Sequence, residues 1–377
     1  MSFSHFGLIK ELESACTSLG YDKPFPVQEE TIPQVLAGKD CVIQAQTGSG
    51  KTVAFLLPVI HLLAKSENAK TLRGDPCALI IVPSRELAMQ VSDRAVELVK
   101  RLKVTVRVRV VFGGVSINPQ MISLKGGADI LIATPGRLLD LVSHNAVSLG
   151  KIRHLVIDEA DKMLDSGFAD EVDGIRKLLP VIRQTLLFSA TMNSAVESVV
   201  CSFCADPVTI TIEPQIEHLS LIDEKVYLVP DKSKGPFLRE LLKKNEWDQV
   251  LIFVNSGRRA DNVVHKLVLN GITALALHGD KSQGARTDAM IKFRNGKLRV
   301  LVATDVLSRG IDVTDLPCVI NYELPRSTKD YVHRIGRTGR AGASGLAISL
   351  VSPDEEAHLK LIEKRNKRST DKERVVI

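Results

Sequence analysis

Cys41-Val42-Ile43-Gln44-Ala45-Gln46-Thr47-Gly48-Ser49-Gly50-Lys51-Thr52 begins as a β-rich apolar run, turns through two glycines, and ends on a lysine and a hydroxyl residue. Read as strand, glycine turn and helix start, it has the context in which a phosphate-binding loop forms. Glycines let backbone N–H groups curl around phosphate oxygens, and the helix N-terminus adds positive potential. Lys51 is expected to reach the β- and γ-phosphates of a nucleotide and Thr52 to hold Mg²⁺, with Gln46, Thr47, Gly48, Ser49 and Gly50 forming the cradle. Ala45 stands where the generic pattern has glycine, a departure at one position.

Outward from this loop, short β-rich runs alternate with stretches of helical length, which predicts βα units and a parallel sheet. In the first half the expected strands are Cys41–Ala45, Ala78–Val82, Val104–Val111, Asp129–Ala133, His154–Asp158 and Thr185–Phe188. Arg85–Arg101 carries Leu87, Val91, Ala95, Val96 and Val99 near a 3.6-residue period and is expected to be a helix. After one more β-like run, Glu213-Pro214-Gln215-Ile216-Glu217-His218 reads as a linker. The alternation then restarts with strands expected at Lys225–Val229, Val250–Val254, Thr273–Leu277, Arg299–Ala303, Val319–Tyr322 and Leu346–Val351. The expected organisation is an α/β domain over 1–212, a linker over 213–222, a second α/β domain over 223–362 and a short basic tail over 363–377. From Leu359 to Arg374 the chain holds seven Lys or Arg against three acids, expected to be a helix end fraying into solvent. A nucleic-acid contact and an ordinary charged surface both fit that tail.

The 377 residues, 44% hydrophobic and 25% charged, are enough for two buried cores. Apolar runs such as Cys77–Val82 fall far short of the roughly 20 residues of a membrane helix. Met1–Lys10 lacks a charged leader followed by an apolar stretch, so a soluble, cytoplasmic protein is expected. Cys201 and Cys204 have zinc-ligand spacing, but no second Cys or His pair follows, which favours a plain helix face. The net charge of +6 suits a polyanion partner without establishing one, and 4% aromatic content argues for backbone contact over base stacking.

A nucleotide site also needs carboxylates at a strand end. Leu155-Val156-Ile157-Asp158-Glu159 supplies them: Asp158 to hold Mg²⁺, and Glu159 to orient or deprotonate the water that attacks the γ-phosphate. With the next two residues the segment spells Asp158-Glu159-Ala160-Asp161, and from here the chain closely resembles the DEAD-box RNA helicases over most of its length.

That resemblance implies two tandem RecA-like domains, ATP and Mg²⁺ as cofactors, and RNA as partner. Gly20-Tyr21 with Pro24, Pro26 and Gln28 is similar to the family's Q motif, in which Gln28 would read adenine and Phe3 would pack on the base. Phe25 replaces the usual Thr or Ser, removing a polar contact that helps seat the phosphate loop. Pro83-Ser84-Arg85-Glu86-Leu87-Ala88, Gly113-Gly114 and Thr134-Pro135-Gly136-Arg137 resemble RNA-backbone motifs, implying contacts from Pro83, Arg85, Gly114, Thr134 and Arg137. Ser189-Ala190-Thr191 resembles the motif that couples hydrolysis to RNA binding through hydroxyl contacts with the Asp158–Asp161 segment, which gives Ser189, Thr191 and Asp161 a coupling role.

In the second half Phe253–Ser256, His278-Gly279-Asp280, Ala303-Thr304-Asp305 and Arg309-Gly310-Ile311-Asp312 resemble family motifs in order. Arg286 and Thr304 would meet RNA phosphates and Asp312 the ribose. In Tyr331–Arg340, Arg337 and Arg340 are the implied arginine fingers, because guanidinium groups fork onto phosphate oxygens, while His333 and Arg334 would organise contacts between motifs. ATP and RNA selecting one closed state would stimulate each other. The resemblance thus implies an RNA-stimulated ATPase that separates short duplexes. A DNA translocase and an ATP-gated RNA clamp are the alternatives. The compact N-terminus resembles bacterial RhlE-type members acting on ribosomal precursors or structured messenger RNA, working as a monomeric core.

Overall fold

In a computed structural model, residues 2–46, 48–66, 74–213, 222–305, 316–339, 345–366, 368 and 370–375 are described. The chain divides into two compact units, Met1–Pro214 and Gln215–Ile377. Among the described residues each unit builds a seven-stranded sheet whose paired strands all run parallel. This is the expected α/β class of two RecA-like domains.

The first sheet holds β1 (Cys41–Gln44), β2 (Ala78–Ile81), β3 (Val108–Val111), β4 (Ile130–Ala133), β5 (His154–Ile157), β6 (Gln184–Ser189) and β7 (Val208–Thr211), in the spatial order β3-β4-β2-β5-β6-β1-β7. Its central strands are apolar on both faces because helices cover both. Ile80, Ile132, Val156 and Leu186 enter one core, while their chain neighbours Leu79, Leu131, Leu155 and Leu187 enter the other. This follows from the two-residue period of a strand.

The second sheet holds β8 (Ile222–Leu228), β9 (Val250–Val254), β10 (Ala274–Leu277), β11 (Val300–Thr304), β12 (Cys318–Asn321), β13 (Gly345–Val351) and β14 (Asp371–Arg374), in the order β10-β11-β9-β12-β13-β8-β14. Ile252, Val302 and Ile320 lie in one core and Leu251, Leu301 and Val319 in the other.

Three departures from the expected boundaries have local causes. The strand expected from Val104 starts at Val108, because the Arg107 N–H turns to the Asp129 carboxylate at 2.7 Å and its guanidinium binds the same group. Ile222, assigned to the linker, begins β8; residues 214–221 of that linker lie outside the described residues. The expected fraying tail is instead a helix over Glu356–Asn366 followed by the edge strand β14, parallel to β8. Glu363 holds that return, accepting from the Thr370 hydroxyl at 2.7 Å and from Lys372 Nζ at 2.9 Å.

Cys201 lies on the helix Ser194–Phe203 with Cys204 just after it, both as free thiols. Among the described residues no His, Cys, Asp and Glu cluster could hold a metal, and no helix is long and apolar enough to cross a membrane.

Candidate functional site

Strand order sorts the candidate residues. The expected phosphate loop follows β1, the Asp158–Asp161 segment follows β5 and Ser189 ends β6, and β5, β6 and β1 are adjacent. Pairing of Gln44 with Ser189, and the Ala45 N–H bond to the Ser189 carbonyl at 3.0 Å, carry this adjacency to the strand ends.

The loop turns through Gly48 at φ 82° and Gly50 at φ 92°, left-handed conformations that favour glycine, and leads into the helix Lys51–Lys65. Lys51 is buried, with Nζ donating to the Ala45 carbonyl at 3.0 Å. Thr52 is the second residue of that helix. Ser49 Oγ donates to the Gln46 carbonyl at 2.8 Å. Thr47 lies outside the described residues.

Gln28, 2% exposed, joins this loop to the N-terminal segment. Its Nε2 donates to the Gly50 carbonyl at 3.1 Å and its Oε1 accepts the Phe25 N–H at 2.9 Å. A Cβ added to Gly50 would lie 2.6 Å from Gln28 Nε2 and 2.9 Å from Phe25 Cδ2. Phe25 therefore puts a ring edge against the loop where a hydroxyl was expected to be missed. Phe3, only 4% exposed, packs on Phe6 with ring centroids 5.9 Å apart and on Tyr21 at 6.5 Å.

Asp158, 2% exposed, sits at the end of β5. Burial pushes its carboxyl up to about 6; the nearby Lys51 charge opposes that rise and Glu159 adds to it. A cation beside it would relieve the same burden, so this carboxylate fits a metal ligand. Glu159 has a left-handed backbone, φ 54° and ψ 48°, sparsely populated for a side chain with a Cβ. Asp158 Oδ1 holds that turn by accepting the Glu159 N–H at 2.9 Å. Asp161 Oδ2 accepts from the Thr191 N–H at 3.1 Å and the Thr191 hydroxyl at 3.0 Å, while Ser189 Oγ donates to the Thr191 carbonyl at 2.7 Å. Lys162, absent from the residues singled out by sequence, donates from Nζ to Glu159 Oε1 at 2.5 Å. Burial lowers its ammonium pKa, against the pull of Glu159. Its three-residue spacing from Glu159 on a helix was the available signal.

A second group gathers at the ends of β2, β4 and β3, also adjacent. Pro83 and Arg85 follow β2; Arg85 Nη1 donates to the Gly114 carbonyl at 3.3 Å. The Gly113 N–H donates to Thr134 Oγ1 at 3.2 Å. Arg137 is buried, with Nη2 donating to the Val115 carbonyl at 2.8 Å and Nη1 lacking a hydrogen-bond partner.

In the second unit Thr304 ends β11, and Arg286 is buried with its guanidinium on Gln283 Oε1. The helix Thr328–Ile335 carries His333, whose Nδ1 is 3.9 Å from Asp330, and the fully buried Arg334. Arg334 forks onto Asp305 at 2.6 and 2.7 Å and also binds Asn255, Asn321 and the Glu323 carbonyl. It thereby joins the ends of β9, β11 and β12. Arg337 is buried just past the helix. Asp312 and Arg340 lie outside the described residues.

Family models match in the same two parts: DEAD/DEAH box helicase over residues 25–199 and helicase conserved C-terminal domain over 233–342. The chain is 42% identical over 364 residues to ATP-dependent RNA helicase CshA of Limosilactobacillus reuteri, covering 97% of this chain and 72% of that protein. It is 41% identical to the protein of the same name from Listeria monocytogenes, covering 97% and 69%. Among solved structures, S. cerevisiae Dbp5 bound to RNA and ADP BeF3 aligns with a TM-score of 0.86 at 32% identity, covering 99% and 95% of the two chains. A DEAD box protein from Methanococcus jannaschii aligns at 0.58 and 36% identity, covering 99% of each.

Proposed function

The chain belongs to the DEAD-box family of ATP-dependent RNA helicases, and on that basis we propose that it couples ATP hydrolysis to local separation of RNA duplexes and remodelling of RNA–protein complexes. The observation that carries this reading is the pair of hydrogen bonds from Thr191 to Asp161, which ties the carboxylate segment to the Ser189–Thr191 motif beside the phosphate loop.

Residues 1–212 are the proposed ATP-binding domain and 223–362 the C-terminal helicase domain. Lys51 and the loop amides bind the phosphates, Gln28 and Phe3 serve the adenine end, and Asp312 serves the ribose. Glu159 orients or deprotonates the attacking water, and Arg337 and Arg340 stabilise charge on the transferring phosphoryl group. When bound at Thr52 and Asp158, Mg²⁺ would supply charge stabilisation for the phosphate oxygens. Pro83, Arg85, Gly114, Thr134, Arg137, Arg286 and Thr304 hold RNA by its backbone. The proposed set is divided between the two units, so either alone is expected to hydrolyse ATP poorly. Cytoplasmic ribosomal precursors and other RNA–protein complexes, met by a monomeric core, are the proposed setting.

The test is ATPase rate without nucleic acid, with single-stranded RNA and with DNA of matching sequence, for the native chain and Lys51→Ala. Stimulation by RNA alone, lost in Lys51→Ala, is expected. Equal stimulation by DNA would refute the RNA assignment, and RNA binding without turnover would favour an ATP-gated clamp.

A further inference from the structure

We propose that Lys162 is a positioning residue for Glu159: it grips carboxylate oxygen Oε1 and leaves Oε2 to face the water that attacks the nucleotide. The inference rests on the reading of Glu159 as the residue that orients or deprotonates that water.

The geometry restrains every part of this pair. Both side chains are 9% exposed, and Nζ and Oε1 are 2.5 Å apart. The backbone at Glu159 is set by its N–H bond to Asp158, and the Lys162 N–H is held by Asp161 Oδ1 at 3.0 Å. The lysine thus starts from a fixed point on the first turn of the helix Ala160–Asp165 and reaches back to the residue that precedes it. A buried carboxylate without a partner would turn toward water. A cation on one oxygen fixes the rotation of the carboxylate. The other oxygen then presents its lone pairs in one direction, and for such proton-accepting groups placement within hydrogen-bond reach is the first requirement. Lys51 does not fill this role, since its Nζ is turned to the Ala45 carbonyl.

RNA-stimulated ATPase of the full chain, with melting temperature measured alongside, separates the possibilities. Lys162→Met is expected to lower kcat about tenfold or more while the KM for ATP stays within about twofold. Lys162→Arg, which restores a cation, is expected to recover most of that loss. Lys162→Gln replaces the methionine variant if that chain does not fold, with the same expected loss. Glu159→Gln is the control: turnover persisting in it would refute the role of Glu159 itself. If Glu159→Gln is inactive while Lys162→Met turns over at the native rate, the positioning role alone is overturned. A rise in KM matching the fall in kcat, or no recovery with arginine, would likewise overturn it.

Discussion

Gln28 and Gly50 are joined by a hydrogen bond of 3.1 Å that ties the helix Pro26–Leu36 to the last residue before the helix Lys51–Lys65. Because the same amide also accepts the Phe25 N–H, its orientation is fixed from both ends.

Replacing Gln28 by Glu keeps the acceptor, removes the donor and aims a carboxylate at the Gly50 carbonyl. A lost hydrogen bond of this kind is worth about 1 kcal/mol, more when a buried acceptor is left unpaired. ATP KM is therefore expected to rise roughly tenfold in Gln28→Glu, the equivalent of about 1.4 kcal/mol. Gly50→Ala should do more harm, since its Cβ meets both Gln28 and Phe25 at a left-handed φ. Steady-state ATPase titrations decide this, and an unchanged KM in both variants would refute it.

Asp161 and Thr191 test the coupling role. Thr191→Val removes the hydroxyl donor and keeps the backbone one, leaving Asp161 with half of this contact. The expected outcome is a fall of about tenfold in duplex separation, the scale of one hydrogen bond to a charged group, with RNA-stimulated ATPase changed about threefold or less. Parallel loss of both activities would show that the contact supports hydrolysis itself.

Much of this arrangement was legible because each motif carries its chemistry in adjacent residues. A glycine turn between strand and helix, and carboxylates after Leu155-Val156-Ile157, need no tertiary information to be recognised. What sequence does not carry is the strand order that sets β5, β6 and β1 side by side, and with it the contact from Thr191 to Asp161; the family resemblance supplied only a contact between the two segments. β14 escaped for a different reason: Asp371-Lys372-Glu373-Arg374 is wholly charged and exposed. An edge strand with solvent on both faces has no apolar alternation to reveal it. Lys162 escaped because a lysine three residues after an acid in a charged segment reads as a solvated pair, and burial is what sets this one apart.

His61 gives the first unit a dependence on pH. Its Nδ1 accepts the Ile9 N–H at 3.0 Å, which requires a ring nitrogen without a proton. Burial, aided by Lys65, holds its pKa below the usual 6.5. The unfolded chain therefore takes up the proton first as pH falls, so this contribution to stability is complete above 6.5 and declines below it. His154, likewise lowered by burial, acts in the same direction. His61→Asn keeps an acceptor without titrating, and the slope of stability against pH between about 7.5 and 5.5 should flatten. Urea unfolding followed by circular dichroism reads this, and identical slopes would refute it.

Arg334 supports a sharper expectation for the second unit. All five of its N–H donors are used, two of them forked onto Asp305, in a site where the guanidinium is almost wholly buried. Lysine offers three donors from a single point and cannot fork. Arg334→Lys would leave Asn255, Asn321 or the Glu323 carbonyl unpaired around a buried charge. Breaking such a buried pair costs about 3–5 kcal/mol when the cation is removed, as in Arg334→Ala, and Arg334→Lys is expected to fall roughly midway. Trp247, the only tryptophan in the chain and part of the second unit, reports this unfolding by fluorescence. The urea midpoint should move down with its slope unchanged, which marks lost native stability rather than an altered unfolded state. Asp305→Asn keeps one neutral acceptor and should cost less than Arg334→Ala. If the lysine variant unfolds at the native midpoint, the five contacts contribute no more than a single buried cation would.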